Sequence, residues 1–324
     1  MNFHPQDSLR SRIGRAIADT AWGALSRGSR LLPSAKPERH GVSCVRDVSY
    51  VEGPASAGAF HLLDVYRPAE GQGPFPVVMY VHGGGFRILS KDSHWSMALS
   101  FARRGYVVFN INYRLAPQHR FPAAVEDAAA ALLWVREHAR EYGGDPEKLV
   151  LAGESAGANL VTSLALCASY SRPEAFAKRV FDSGVRARAV VPACGLLQVS
   201  EPERFLQRKK LPAFVEDRIL DVSRSYLPLG KPAAGELDLA DPLVVLERGE
   251  KPERELPPFF AGVGTRDPVL DDTRRLHAAL TQMGVRSEVR YYPGEVHAFQ
   301  AMFFREQAQM YWRDLHSFLD GVVR

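Results

Sequence analysis

The residues Gly153-Glu154-Ser155-Ala156-Gly157 fit the pattern G-x-S-x-G, which holds a serine hydroxyl out on a strained turn between a strand and a helix. Such a serine attacks carbonyl carbons when a base removes its proton and a third group orients that base. Ten histidines are available. His297 follows the strand-like run Glu288–Tyr292 on a turn containing Pro293-Gly294, which puts it on the same side as Ser155. His277 and His316 fall inside helical stretches. His94 and His119 lie away from strand ends, and His4, His40 and His61 are in the N-terminal part. The orienting acid should follow another strand end. Asp267 is the carboxylate nearest the end of Phe259–Val263, with Asp271 as the runner-up. Its task is to accept the imidazole N–H and stabilise the imidazolium. Carbonyl attack also develops charge on oxygen. His82-Gly83-Gly84-Gly85-Phe86 follows the run Val77–Val81, and its glycines let backbone N–H groups approach a ligand unobstructed. With the N–H of Ala156 they would form an oxyanion hole.

These groups need a scaffold that brings strand ends together. Strand-like runs occur at Cys44–Val51, Phe60–Val65, Val77–Val81, Val107–Ile111, Leu149–Ala152, Ala187–Val191, Phe259–Val263 and Glu288–Tyr292. The later ones are short and continuously apolar, as in parallel strands buried on both faces. Helical stretches at Ser93–Arg103, Ala123–Glu141, Ala156–Tyr170, Asp272–Met283 and Ala298–Val322 alternate with them, which predicts a parallel sheet covered by helices. The first two strands read as an antiparallel edge. Between Pro192 and Pro257 the rhythm breaks into charged, proline-rich sequence with helical pieces such as Phe214–Tyr226. An insertion there would lie above the strand C-terminal ends, where ligands bind. The expected division is a catalytic domain over 41–192 and 257–324, with cap segments at 1–40 and 193–256.

The chain has 324 residues, 46% hydrophobic and 24% charged, with a net charge of +4. That is an ordinary globular composition. Basic residues are scattered, which argues against a nucleic-acid footprint. Cys44, Cys167 and Cys194 show neither metal spacing nor a disulfide framework, so the expectation is a reducing, cytoplasmic setting with no metal or cofactor. No apolar run approaches a membrane span, and stable membrane insertion is not expected. Residues 8–30 read as a basic amphipathic helix through Leu9, Ile13, Ile17, Ala21 and Leu25, one able to pack over the main domain or to lie on a membrane surface. Asp7 and Asp19 argue against a transit peptide.

Taken as a set, the motifs resemble the hormone-sensitive-lipase-like family of bacterial esterases. The residues that carry the likeness are His82–Phe86, Asn112-Tyr113-Arg114-Leu115-Ala116-Pro117, Phe121–Ala128, Gly153–Leu160, Asp267-Pro268 and Gly294–Phe299. The resemblance implies an α/β-hydrolase fold: a mostly parallel eight-stranded sheet covered by helices, with a helical cap. It implies Gly84, Gly85 and Ala156 as oxyanion donors, and a small carboxylic ester with a short to medium acyl chain as substrate. The order Ser155, Asp267, His297 is that of α/β-hydrolases. Three positions depart from the family: Glu154 for Asp, Ala158 for Gly, and Ala298 for Gly after the histidine. Candidate acyl-pocket residues are Phe86, Trp95, Leu197, Phe205 and Phe214, for which core packing is an equal reading. The same machinery would serve an aryl formamidase or a lactonase, and a fold-related receptor would lack a triad member. Sheets of this fold can also pair through an edge strand or outer helices into a homo-oligomer.

Overall fold

The computed structural model describes residues 28, 33–53, 56–208, 212–230 and 232–323. The amphipathic stretch at 8–30 and the first cap segment therefore lie almost wholly outside the described residues.

Eight strands form one sheet: β1 (Val42–Ser49), β2 (Leu62–Pro68), β3 (Phe75–Val81), β4 (Val107–Ile111), β5 (Gly144–Glu154), β6 (Ala187–Ala193), β7 (Phe259–Gly264) and β8 (Ser287–Tyr292). Their spatial order is β1-β2-β4-β3-β5-β6-β7-β8. β1 and β2 run antiparallel to each other, and β2 runs antiparallel to β4; every later pairing is parallel. The sequence explains this split. β4 (Val-Val-Phe-Asn-Ile) is buried at every position, as a β-branched strand covered on both faces must be. β8 carries exposed Arg290 and Tyr291 and is the outer edge, where charge discourages pairing with another chain.

Helices cover both faces: α1 (Trp95–Ala102), α2 (Ala123–His138), α3 (Ala156–Ser169), α4 (Ala175–Ser183), α5 (Arg204–Arg208), α6 (Ala213–Tyr226), α7 (Pro242–Glu247), α8 (Leu270–Gln282) and α9 (Glu306–Asp320). α3 buries thirteen of its fourteen residues, Cys167 among them. A helix apolar nearly all round belongs in the interior.

Two helical expectations need correcting. α4 went unrecognised beneath its charges, although Phe176, Ala177 and Val180 form its buried stripe. The predicted helix Ala298–Val322 begins only at Glu306. Ala298 sits in left-handed backbone at φ 56°, followed by a short turn at Phe299–Ala301, and a helix interior cannot contain that conformation.

The segment between β6 and β7 contains α5, α6 and α7 and no strand among its described residues. α7 is buried through Leu243, Val245 and Leu246. α6 buries only Ser223, Ser225 and Tyr226. It leans on the loop after β3 through a Phe86–Tyr226 ring stack at 3.7 Å and an Arg87–Asp221 ion pair.

Candidate active site

The parallel register brings four loops to one rim of the sheet. Val81 lies opposite both Ile111 and Gly153, Glu154 opposite Ala193, and Gly264 opposite Tyr292. Ser155, the glycine loop, Asp267 and His297 therefore leave the sheet at the same level.

Ser155 joins β5 to α3 with φ 52° and ψ −114°. A non-glycine residue at positive φ is strained, and the neighbouring chain supplies the compensation. The Ser155 N–H donates to Ala193 O at 3.0 Å, and Ser155 O accepts from the Leu196 N–H at 3.2 Å. Both flanking glycines are required by space. A Cβ on Gly153 would meet the Gly157 backbone at 2.6 Å, and one on Gly157 would overlap Val81 O.

Asp267 is 2% exposed. Its Oδ1 accepts the Val269 N–H at 2.9 Å, and its Oδ2 lies 2.9 Å from Nδ1 of His297. Burial works to hold the His297 pKa down, but the charge and hydrogen bond of Asp267, and then the charge of Glu154, raise it above the ordinary value. The runner-up Asp271 instead pairs with Arg274 at 3.1 Å on the exposed side of α8. Ser155 Oγ makes no hydrogen bond among the described residues, so the Ser155–His297 link is open in this structure. Triads commonly close that link only when substrate arrives.

The backbone N–H groups of Gly84, Gly85 and Ala156 have no acceptor among the described residues. Gly84 and Gly85 have φ of 107° and 60°, conformations that suit glycine. A Cβ on Gly85 would meet Val222 Cγ2 of α6 at 2.7 Å, so Val222 roofs this loop. His82 is stacked on Tyr113 at 4.2 Å. Burial, with help from nearby His94, pushes its pKa down to about 3, so it is a neutral structural ring.

Of the candidate pocket residues, Phe86, Leu197 and Phe205 are buried, and Trp95 is half-buried. Phe86 stacks on Tyr226, and Phe205 lies under the Arg204 guanidinium at 4.0 Å. Phe214 is 64% exposed on α6. None of the five lines the small cavity behind the serine turn, which is bounded by Tyr80, Met97, Gly153, Gln300 and Trp312.

Sequence reasoning missed several buried groups. Glu154 Oε1 accepts from His94 Nε2 at 2.9 Å, and its Oε2 accepts from Gln300 Nε2 at 2.8 Å. His94 does stand away from any strand end, yet it reaches the back of the site. Asp272 is fully buried, accepts the N–H groups of Leu197 and Gln198, and pairs with Arg204 at 2.8 Å. Its signal was the second aspartate after Asp267-Pro268. Arg114 and Asp127, thirteen residues apart in the family motifs, form a bidentate pair. Among the described residues, the group compact enough to hold a metal ion is Cys194, Asp267 and His297, with ligand atoms within 4.8 Å of one another.

A strained serine on a strand-to-helix turn, a histidine–aspartate pair on the same rim and an adjacent set of unengaged amides match the pattern of an α/β-hydrolase site. Comparison with known proteins agrees. The family described as alpha/beta hydrolase fold, Abhydrolase_3, matches residues 78–301. The chain is 32% identical over 240 residues to carboxylesterase NlhH of Mycobacterium tuberculosis, covering 72% of this chain and 70% of that one. It is 33% identical over 233 residues to esterase LipI of the same organism, covering 70% and 67%. Among solved structures, a bacterial heroin esterase superposes with a TM-score of 0.74 at 24% identity, covering 96% of this chain and 91% of that one; at this identity the likeness concerns the fold. The chain belongs to the hormone-sensitive-lipase-like esterases of the α/β-hydrolase superfamily, and its class of activity is carboxylic ester hydrolysis.

Proposed function

We propose that Ser155, Asp267 and His297 form the catalytic triad of an esterase for short- to medium-chain carboxylic esters. Ser155 Oγ attacks the ester carbonyl while Nε2 of His297 takes its proton. The oxyanion is held by the N–H groups of Gly84, Gly85 and Ala156. His297 then protonates the departing alcohol, and a water activated by the same imidazole hydrolyses the acyl-enzyme. The observation that carries this reading is the Asp267–His297 bond at 2.9 Å on the rim where Ser155 is strained outward. A relative 33% identical over 230 residues, named acetyl esterase, from Salmonella schwarzengrund supports a small acyl group. So does the roof formed by Val222 over Gly85.

We further propose that segment 193–256 caps the catalytic domain; the docking of α6 on the glycine loop supports this. The buried thiols of Cys167 and Cys194 support a cytoplasmic setting. No helix of the described residues is long and apolar enough to cross a membrane.

The test is Ser155→Ala assayed on a chain-length series of p-nitrophenyl esters. Turnover should fall by about 10³-fold or more, with thermal stability near wild type, and a fluorophosphonate should label only the wild-type protein. Substantial residual turnover in the variant would defeat the assignment. Formanilides and lactones assayed beside acetyl esters should be poorer substrates.

A further inference from the structure

Glu154 is 6% exposed and directly precedes the serine. Burying a carboxylate costs several kcal/mol unless it is well paired, so its partners need a reason. They belong to different loops. His94 caps the start of α1 and backs the glycine loop: its Nε2 lies 3.4 Å from the Gly83 N–H, and a Cβ on Gly83 would sit 3.1 Å from Glu154 Oε1. Gln300 lies three residues beyond His297, on the turn that carries it, and the Gln300 carbonyl is held by Trp312 Nε1 of α9 at 3.1 Å.

We propose that Glu154 is a positioning residue: its one carboxylate sets the nucleophile turn in register with the oxyanion loop through His94 and with the histidine loop through Gln300, and its charge acts on the His297 imidazole. This deepens the triad reading above and rests on it. The carboxylate is held ionised. Burial raises its pKa, but the charge and hydrogen bond of His94, the charge of His297 and the Gln300 bond outweigh burial and lower it. Five other titratable groups around it are shifted toward their neutral forms. Tyr80 (β3), Tyr113 (after β4), Tyr311 (α9) and Cys194 (after β6) are all raised, chiefly by burial, and His82 is lowered. Asp267 and Glu154 are therefore the two anions that act on His297.

Glu154→Gln tests this. The amide is isosteric, can still accept from Gln300 and can donate to a neutral His94. The variant should fold with near-wild-type Tm, and the acid limb of its kcat/KM profile should move down by roughly 0.5 pH unit or more. Its kcat should fall more than its KM rises. Gln300→Ala keeps the charge but frees the histidine loop, so its kcat should drop while the acid limb stays in place. An acid limb at the wild-type midpoint in folded Glu154→Gln overturns the proposal. If that variant does not fold, Gln300→Ala with undiminished kcat overturns it instead. Either result, with Ser155→Ala still inactive, leaves the triad standing; an active Ser155→Ala removes the triad itself.

Discussion

In the proposed triad His297 must be neutral to take the serine proton, yet Asp267 and Glu154 favour its charged form. The signs for activity and stability therefore oppose each other. Activity should fall as pH drops through a midpoint above the ordinary histidine value, measured as the acid limb of kcat/KM. The stabilisation from the charged ring is fully present below the unfolded pKa and is lost as pH rises through the folded one. Ala298 is a second residue with a consequence. At φ 56° its side chain costs about 1 kcal/mol relative to an unstrained backbone. Ala298→Gly should raise Tm by about 1 °C, with the Asp267–His297 geometry kept. The sequence displayed Ser155, His297 and Asp267 as candidates because each sits beside a turn signal at a strand end. It concealed Glu154, His94 and Gln300 as partners, because their contacts join residues 60 and 146 positions apart and no local pattern marks such a meeting.

At the level of elements, the connection after β6 is fastened by two buried carboxylates: Asp241, which accepts the N–H groups of Val199 and Ser200, and Asp272. Asp272 binds two backbone N–H groups of the Leu197–Gln198 stretch and the Arg204 guanidinium. Removing one partner of a buried charge pair leaves the other uncompensated. Asp272→Ala should therefore destabilise the fold by about 3 kcal/mol or more, measured by urea denaturation; a loss within the range of an exposed pair would refute this role. Strand positions were readable from apolar runs, and β4 matches its expected bounds. α4 was harder. Charge density hides the buried stripe of α4, and a helix-like composition after Ala298 hides a backbone turn that only φ reveals.

Across the whole molecule, stability is unevenly spread. The rim-side ends of β3, β5 and β6 and the whole of β7 are buried, whereas α6 buries three residues and is tethered near its C-terminal end, where Arg120 Nη1 donates to the carbonyls of Arg224, Ser225 and Leu227. Segments with few buried contacts open first, and the glycine loop after β3 leans on this one. Esterase activity should disappear at a lower urea concentration than far-UV circular dichroism. Coincident transitions would show that α6 melts with the sheet. The division into sheet and insertion was visible from the break in alternation after Pro192. The way the insertion docks was not, since it depends on Val222, Tyr226 and Asp221 meeting a glycine loop far away in the sequence.

The order of strands across the rim has a consequence for synthesis. The serine turn is completed by β5 and β6, but the aspartate and histidine arrive on the last two strands, and the glutamine turn is pinned by the final helix. A ribosome-bound chain would carry Ser155 through the 142 positions that separate it from His297 with no imidazole to activate it. A translation product cut short before β8 should fail to react with fluorophosphonate, so reactivity toward that probe would report the moment at which the C-terminal third docks.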